Sequence, residues 1–376
     1  MTATASALDL DAIVSRQRVV VCCGAGGVGK TTTAAALALR AAEHGRRVVV
    51  VTIDPARRLA QSLGLTTLDN TPRRVAGTGG DAGELHAMQL DMKSTFDDLV
   101  LAHAAPDKAQ QILSNPFYIS LSGSLAGTQE YMAMEKLGQL HGTGEWDLIV
   151  VDTPPTRSAL DFLDAPERLT GFLDGRFVRI LLAPARASGR AYMRFMSAGV
   201  GVFAGILTRI TGADLLRDMR AFFAAFETLF GGFRERAQQT YDLLKADGTT
   251  FVVVAAPEIA ALREAAYFVD RLSEESMPLA GLIVNRVHRT LAPQLTPERA
   301  TAAAEAAEER GVTGVAPAVL RLHAERAALA ARERRSINRF RAAAPDVALS
   351  EVEAMPTDVH DLDGLRRIGD DLARAG

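Results

Sequence analysis

Residues 24–32 read GAGGVGKTT, and Gly24 to Thr31 satisfy the pattern G-x-x-x-x-G-K-[ST]. Gly24, Gly26, Gly27 and Gly29, with Val28 among them, let successive backbone N–H groups turn inward around phosphate oxygens. A helix opening at this point adds roughly half a positive charge. Lys30 then reaches the outer phosphates, Thr31 ligates Mg²⁺ and Thr32 bonds the innermost phosphate. The chemistry expected here is that of a magnesium-bound nucleotide, which the loop alone does not name.

Two carboxylates join the loop. TIDPARRL places Asp54 just after an apolar run, and IVVDTPPT places Asp152 at the end of another. Asp152, after four apolar residues, has the position of a carboxylate that supports Mg²⁺. Asp54 is then left to orient or deprotonate an attacking water. It also suits the cap of a helix that opens at Pro55, and the two roles are compatible. In IVNR, Asn285 ends a further apolar run. Its amide offers a donor and an acceptor to an adenine edge, although Asn is also a common residue where a strand turns. AAPE and AMPTD end two more runs, so Pro257, Glu258, Met355 and Pro356 are candidate walls for base and ribose.

The elements that must hold these groups follow from the pattern. RVVVCC (Arg18–Cys23), RRVVVVTID (Arg46–Asp54), WDLIVVDTPP (Trp146–Pro155), TFVVVAAPE (Thr250–Glu258) and LAGLIVNRV (Leu279–Val287) are short β-branched runs. Such runs suit strands buried on both faces of a parallel sheet. ELHAMQLD (Glu84–Asp91) is a weaker strand, and VALSEVEAMP (Val347–Pro356) alternates. Helical patterns fall between them; one is the alanine-rich stretch stopped by Gly45. The fold class expected is α/β, a doubly wound and mostly parallel sheet. Strand ends in such a sheet share one crevice. Residues 70–83, rich in Gly, Thr and Pro, read as a mobile surface loop.

Residues 93–145 and 165–248 interrupt that grammar with helical patterns. The expected domains are a nucleotide-binding one of 1–92, 146–164 and 249–376, and a helical insert subdomain of 93–145 and 165–248. Met219, Phe222, Phe223, Phe226, Phe230 and Phe233 recur at spacings of three and four, and Met193, Met196, Val200 and Phe203 continue the theme. Such a stripe is either packed core or an adaptable groove for an apolar helix. The charge-free run 195–208 either lines or covers such a groove.

A net charge of −3 gives no reason to expect a nucleic-acid partner for the whole protein. The two cysteines, Cys22 and Cys23, are adjacent within one strand and face opposite sides, which suits a reducing cytoplasm. The first seventeen residues lack the basic and apolar regions of a signal peptide. The run 195–208 is short of the ~20 residues a membrane span needs, so no transmembrane segment is expected.

In order along the chain, GAGGVGKTT resembles GKGGVGKTT, DPARRL resembles DPAHNL, DTPPT resembles DTAPT, and VNR and MPTD with the later GL resemble an adenine-reading strand end and loop. These are the motifs of the arsenite-pump (ArsA) and tail-anchored-protein-targeting ATPase family. It is related to nitrogenase iron protein and the partition ATPases. The resemblance covers most of the chain. It implies that residues 24–32 bind phosphates, Asp54 positions water, Asp152 supports Mg²⁺ and Asn285 contacts adenine. It also implies face-to-face dimers that close on ATP, and a hydrophobic protein client or membrane partner handled by the helical insert.

The departures are specific. The family's lysine at the second loop position crosses the dimer to the partner's nucleotide, and Ala25 cannot. Three readings follow: a heterodimer with a lysine-bearing paralogue, a substitute cation from Arg57 or Arg58, or slow hydrolysis with the nucleotide as a conformational clamp. The heterodimer is favoured over a homodimer. RSALDFLD replaces the family's GHT after the second switch. A CxxC pair and the thiolate cluster that trivalent arsenic needs are both missing, which argues against an arsenite pump. The expected activity is ATP hydrolysis in a dimeric switch. The alternative is a partition-type ATPase, or a weakly hydrolysing regulatory subunit. A partition role would want a basic patch or an amphipathic membrane helix, and the charge-mixed tail DLDGLRRIGDDLARAG reads as an ordinary packed helix.

Overall fold

The computed structural model describes residues 8–54, 58–78, 83–121, 128–154, 232 and 235–374. Arg57, the Phe/Met stripe, the run 195–208 and RSALDFLD lie outside the described residues. The chain divides into two compact units. One comprises Met1–Gln89, Thr143–Leu160 and Leu244–Gly376, and the other Leu90–Gly142 and Asp161–Leu243.

The first unit is built on an eight-stranded sheet. In chain order its strands are β1 (Val19–Gly24), β2 (Arg47–Thr52), β3 (Arg73–Arg74), β4 (Glu84–Gln89), β5 (Leu148–Asp152), β6 (Thr249–Ala255), β7 (Leu279–Val287) and β8 (Leu349–Glu353). They lie in the order β3-β4-β2-β5-β1-β6-β7-β8. All neighbours are parallel except β3 with β4. Every residue of β1, β5 and β6 is buried. That is why their sequences are unbroken apolar runs and not alternating ones. The architecture is the doubly wound α/β sheet read from the sequence.

Helices join the strands: α1 (Leu10–Arg16), α2 (Lys30–Glu43), α3 (Arg58–Ser62), α9 (Ile259–Glu274), α10 (Pro297–Glu309), α11 (Val315–Ala343) and α12 (Leu362–Arg374). Local signals set their ends. Gly45, with φ of 86°, stops the chain just past α2. Thr296 accepts from the Arg299 N–H at 3.3 Å and Pro297 opens α10. Arg40 ties three helices together, bonding Asp11 of α1 at 2.5 and 3.0 Å and Asp370 of α12 at 3.2 Å.

The sequence did not lead us to expect β3. Arg73 and Arg74 pair antiparallel with Ala87 and His86, inside the stretch read as a loop. Two exposed arginines carry no apolar alternation, and charged residues suit the open edge of a sheet.

The second unit is helical where it is described: α4 (Met92–His103), α5 (Pro106–Leu113), α6 (Pro116–Leu121), α7 (Thr128–Gly142) and most of α8 (235–245). Asp91 caps α4, accepting from the Ser94 N–H at 2.6 Å. A buried Glu135 on α7 pairs with Arg236 on α8 at 3.1 Å and accepts from the Tyr131 hydroxyl at 3.2 Å. Gly138 lets these two helices close in, since a Cβ there would lie 2.7 Å from Thr240 Oγ1.

Close backbone packing makes one glycine of the sheet sensitive. Gly281 of β7 has φ of 155°, and a Cβ there would lie 2.3 Å from the Ala348 carbonyl oxygen. Gly281→Ala should cost about 1–3 kcal/mol and lower the melting temperature by several degrees. Urea unfolding is the check, and an unchanged midpoint would contradict the packing described here.

Candidate functional site

Phosphate-type chemistry gathers at the C-terminal ends of the parallel strands. β1 runs into residues 25–29, and α2 starts at Lys30. Gly27 and Gly29 have φ of 75° and 95°, the left-handed region that glycine enters without strain. Gly24 has a different task. A Cβ on it would lie 2.1 Å from the Val254 carbonyl oxygen, so β1 and β6 approach only with glycine there.

Lys30 is almost fully buried, and its Nζ donates to the Ala25 carbonyl at 2.7 Å. Burial lowers its pKa, opposed first by the nearby charge of Asp152. Asp152 itself is buried at the end of β5, in register with Cys22 of β1 on one side and Thr52 of β2 on the other. The Thr52 hydroxyl donates to Asp152 Oδ2 at 2.9 Å. Oδ1 is buried and has no hydrogen-bond partner among the described residues. Burial pushes the Asp152 carboxyl up to about 6, opposed by the hydroxyls of Thr31 and Thr52 and by Lys30. The next residue closes the strand end: Thr153 donates to the Cys22 carbonyl through both its N–H and its hydroxyl, at 3.2 and 2.9 Å.

Asp54 follows β2 in a bend and is half-buried. It lines a cleft of about 620 Å³ with Lys30, Thr31 and Thr32. Arg58, Gln61 and Ser62 of α3 line the same cleft, as do Gly27 and Gly29. The end of β7 and the residue beyond it also line the cleft, through Asn285, Arg286 and His288, as do Glu353 at the end of β8 and Met355 after it. His288 is held there by Glu333 of α11, which accepts from its backbone N–H and pairs with its Nδ1, each at 2.8 Å.

The structure thus brings Gly27, Gly29, Lys30, Thr31, Thr32, Asp54, Asn285 and Met355 around one cleft, with Asp152 fully buried. Gly24, Gly26, Val28, Pro257, Glu258 and Pro356 are not among the residues lining it. The structure adds three residues that the sequence does not single out: Thr52, which bonds Asp152, and Arg286 and His288, which line the cleft beside Asn285. No motif assigns them a role.

A divalent cation fits this donor set. A buried carboxylate oxygen without a partner, beside a threonine hydroxyl, offers the hard oxygen ligands Mg²⁺ prefers. Among the described residues no cluster of three or more His, Cys, Asp or Glu exists that would suit a zinc or iron centre.

Comparison with known proteins points the same way. The family model described as anion-transporting ATPase matches residues 17–295, well over half of the chain. The chain is similar to ATPase GET3B of Arabidopsis thaliana, 27% identical over 312 residues, covering 76% of this chain and 68% of that one. It is similar to ATPase GET3 of Malassezia globosa, 27% identical over 268 residues, covering 71% and 72%. It is also similar to ATPase ARSA2 of Chlamydomonas reinhardtii, 26% identical over 275 residues, covering 70% and 66%. The chain spans 34% of ATPase ARSA1 from the same alga. The helices α10, α11 and α12 fall beyond the family match.

The raised pKa of Asp152 has a sign. A carboxyl that holds its proton more tightly folded than unfolded makes stability decline as pH climbs from about 4 to about 6. Above that range the deficit is complete. Asp152→Asn keeps the shape and removes the buried charge. It should stabilise the ligand-free protein by on the order of 2 kcal/mol at neutral pH and not below about pH 4. Thermal melts across pH 4–8 test this, and parallel curves for both proteins would sink it.

Proposed function

The chain belongs to the anion-transporting ATPase family, and from that premise we propose that it binds ATP with Mg²⁺ in this cleft and hydrolyses it to ADP and phosphate. The observation that carries the reading is the unpartnered, buried Asp152 oxygen beneath a glycine loop whose left-handed residues open its N–H groups to an anion. Burying a carboxylate is costly, and a cation at the open oxygen would offset that cost.

Each residue then has a task. Lys30, with the backbone of residues 24–32, takes the phosphate oxygens. Thr31 and Asp152 are the residues that would hold Mg²⁺, which neutralises charge between the outer phosphates. Asp54 orients the water whose oxygen attacks the terminal phosphorus, and takes up or relays its proton as the bond to the leaving oxygen breaks. Thr52 fixes the rotamer of Asp152 through its hydroxyl.

The transported or handled species is not trivalent arsenic. Both cysteines lie within β1, and burial pushes the Cys23 thiol up to about 12 and the Cys22 thiol up as well. Neither supplies the thiolate a soft metalloid wants. We propose instead a hydrophobic protein client or membrane partner, coupled to a dimer that closes on ATP. The motif order supports this. No helix among the described residues is long and apolar enough to cross a membrane.

Ala25 favours a second reading of the rate. Without a lysine at that place the pair lacks a trans cation, which is worth on the order of 10³-fold in related phosphoryl transfer. The partner subunit is then a lysine-bearing paralogue, or a second copy in a slow switch that signals by binding. A regulatory subunit of weak hydrolysis is the limit of that case.

Lys30→Ala should raise the Kd for an ATP analogue at least tenfold and abolish phosphate release. Unaltered turnover would refute the site. Asp54→Asn should keep ATP binding and lose at least 10²-fold in kcat. Co-purification of the Asp54→Asn protein with ATP from native extract should identify the partner subunit. A homodimer hydrolysing as fast as lysine-bearing relatives would end the case for a paralogue.

A further inference from the structure

A loop that turns its N–H groups toward one point must turn carbonyls elsewhere, and those carbonyls need donors. In the phosphate loop the donors come from the far end of the chain. Asn285 Nδ2 donates to the Val28 carbonyl at 2.8 Å. Arg286 Nη1 donates to the Gly27 carbonyl at 3.1 Å. Two consecutive side chains thus take two consecutive carbonyls.

The strand is shaped to deliver them. The pairing of β7 with β8 runs through Val284 and resumes at Val287 with a register shift, which releases residues 285 and 286 from the ladder. Arg286 sits at φ of 62°, a conformation arginine rarely adopts. Its N–H donates to Asn285 Oδ1 at 2.9 Å, so the carboxamide is engaged at both ends. The fit at the loop is tight. A Cβ on Gly29 would lie 2.1 Å from Asn285 Nδ2, so glycine at 29 answers to Asn285 as well as to its own dihedral.

We propose that Asn285 and Arg286 are positioning residues, a clamp that holds the loop in its anion-binding form and so sets nucleotide affinity independently of the base. The proposal rests on the nucleotide-binding reading. The left-handed turn at Arg286 accompanies the placing of its guanidinium on the Gly27 carbonyl, and such strain persists only where the surroundings hold it.

The test is isothermal titration with non-hydrolysable ATP and GTP analogues in Mg²⁺, alongside melts of the ligand-free proteins. Arg286→Gly relieves the backbone strain, so its melting temperature should hold or rise. Its affinity should nonetheless fall about 5–10-fold, and by the same factor for both analogues, since one bond to the loop is lost whichever base is attached. Arg286→Lys, which keeps a donor, should recover part of the loss. Asn285→Ala should lose at least as much as Arg286→Gly, again for both bases. Wild-type affinity in Arg286→Gly overturns the clamp. A loss confined to the ATP analogue overturns it too and makes these residues readers of the base. Failure of the unaltered protein to bind either analogue overturns the nucleotide reading itself, an outcome distinct from the other two.

Discussion

One half-satisfied carboxylate organises the site. The sheet centre around Asp152 is an apolar layer, with β1, β5 and β6 wholly buried. An ionised group in such a layer is costly unless charge and hydrogen bonds answer it. Parallel register supplies part of the answer by setting Thr52 beside it. The helix that follows the phosphate loop supplies another part, through Thr31 and Lys30. What remains is one buried oxygen without a hydrogen-bond partner among the described residues. Removing either neighbouring element would leave the charge worse placed. The loop, α2, and the ends of β2 and β5 are therefore held to one geometry by a shared electrostatic demand.

The same accounting applies to the loop backbone. Its inward side presents N–H groups and suits an anion. Its outward carbonyls are met one by one: Ala25 by Lys30, Gly27 by Arg286 and Val28 by Asn285. The donors come from two sources. Lys30 is local, from the first turn of α2, while the other two arrive from β7. The loop is thereby coupled to that strand.

Much of this was legible in the sequence. The five strong strands were read within a few residues, because burial on both faces demands uninterrupted β-branched runs. Asp54, Asp152 and the glycine loop were found for the same reason: strand ends announce themselves where apolar runs stop. Short, exposed β3 has no such signature. The clamp could not be read at all, because Gly27 and Arg286 are joined by tertiary packing, and neither residue type is diagnostic alone. Asn285 shows the limit well. A strand-ending amide reads equally as a base contact or a backbone partner, and only the 2.8 Å bond to Val28 shows the second use.

Ala25 is best understood through its carbonyl and not its methyl group. The oxygen of this residue accepts from Lys30, a use indifferent to the side chain. A lysine at position 25 is therefore dispensable for the loop's own shape, and its loss leaves phosphate binding intact in form. What alanine does not bring to this position is a charge. Lys30, Arg58 and Arg286 line the cleft together with Asp54, Glu353 and Asp358, so the formal charges of the lining balance. The shape of the loop and the charge it presents are in this way set by different residues: the carbonyls fix the first, and the side chains of Lys30 and its neighbours the second.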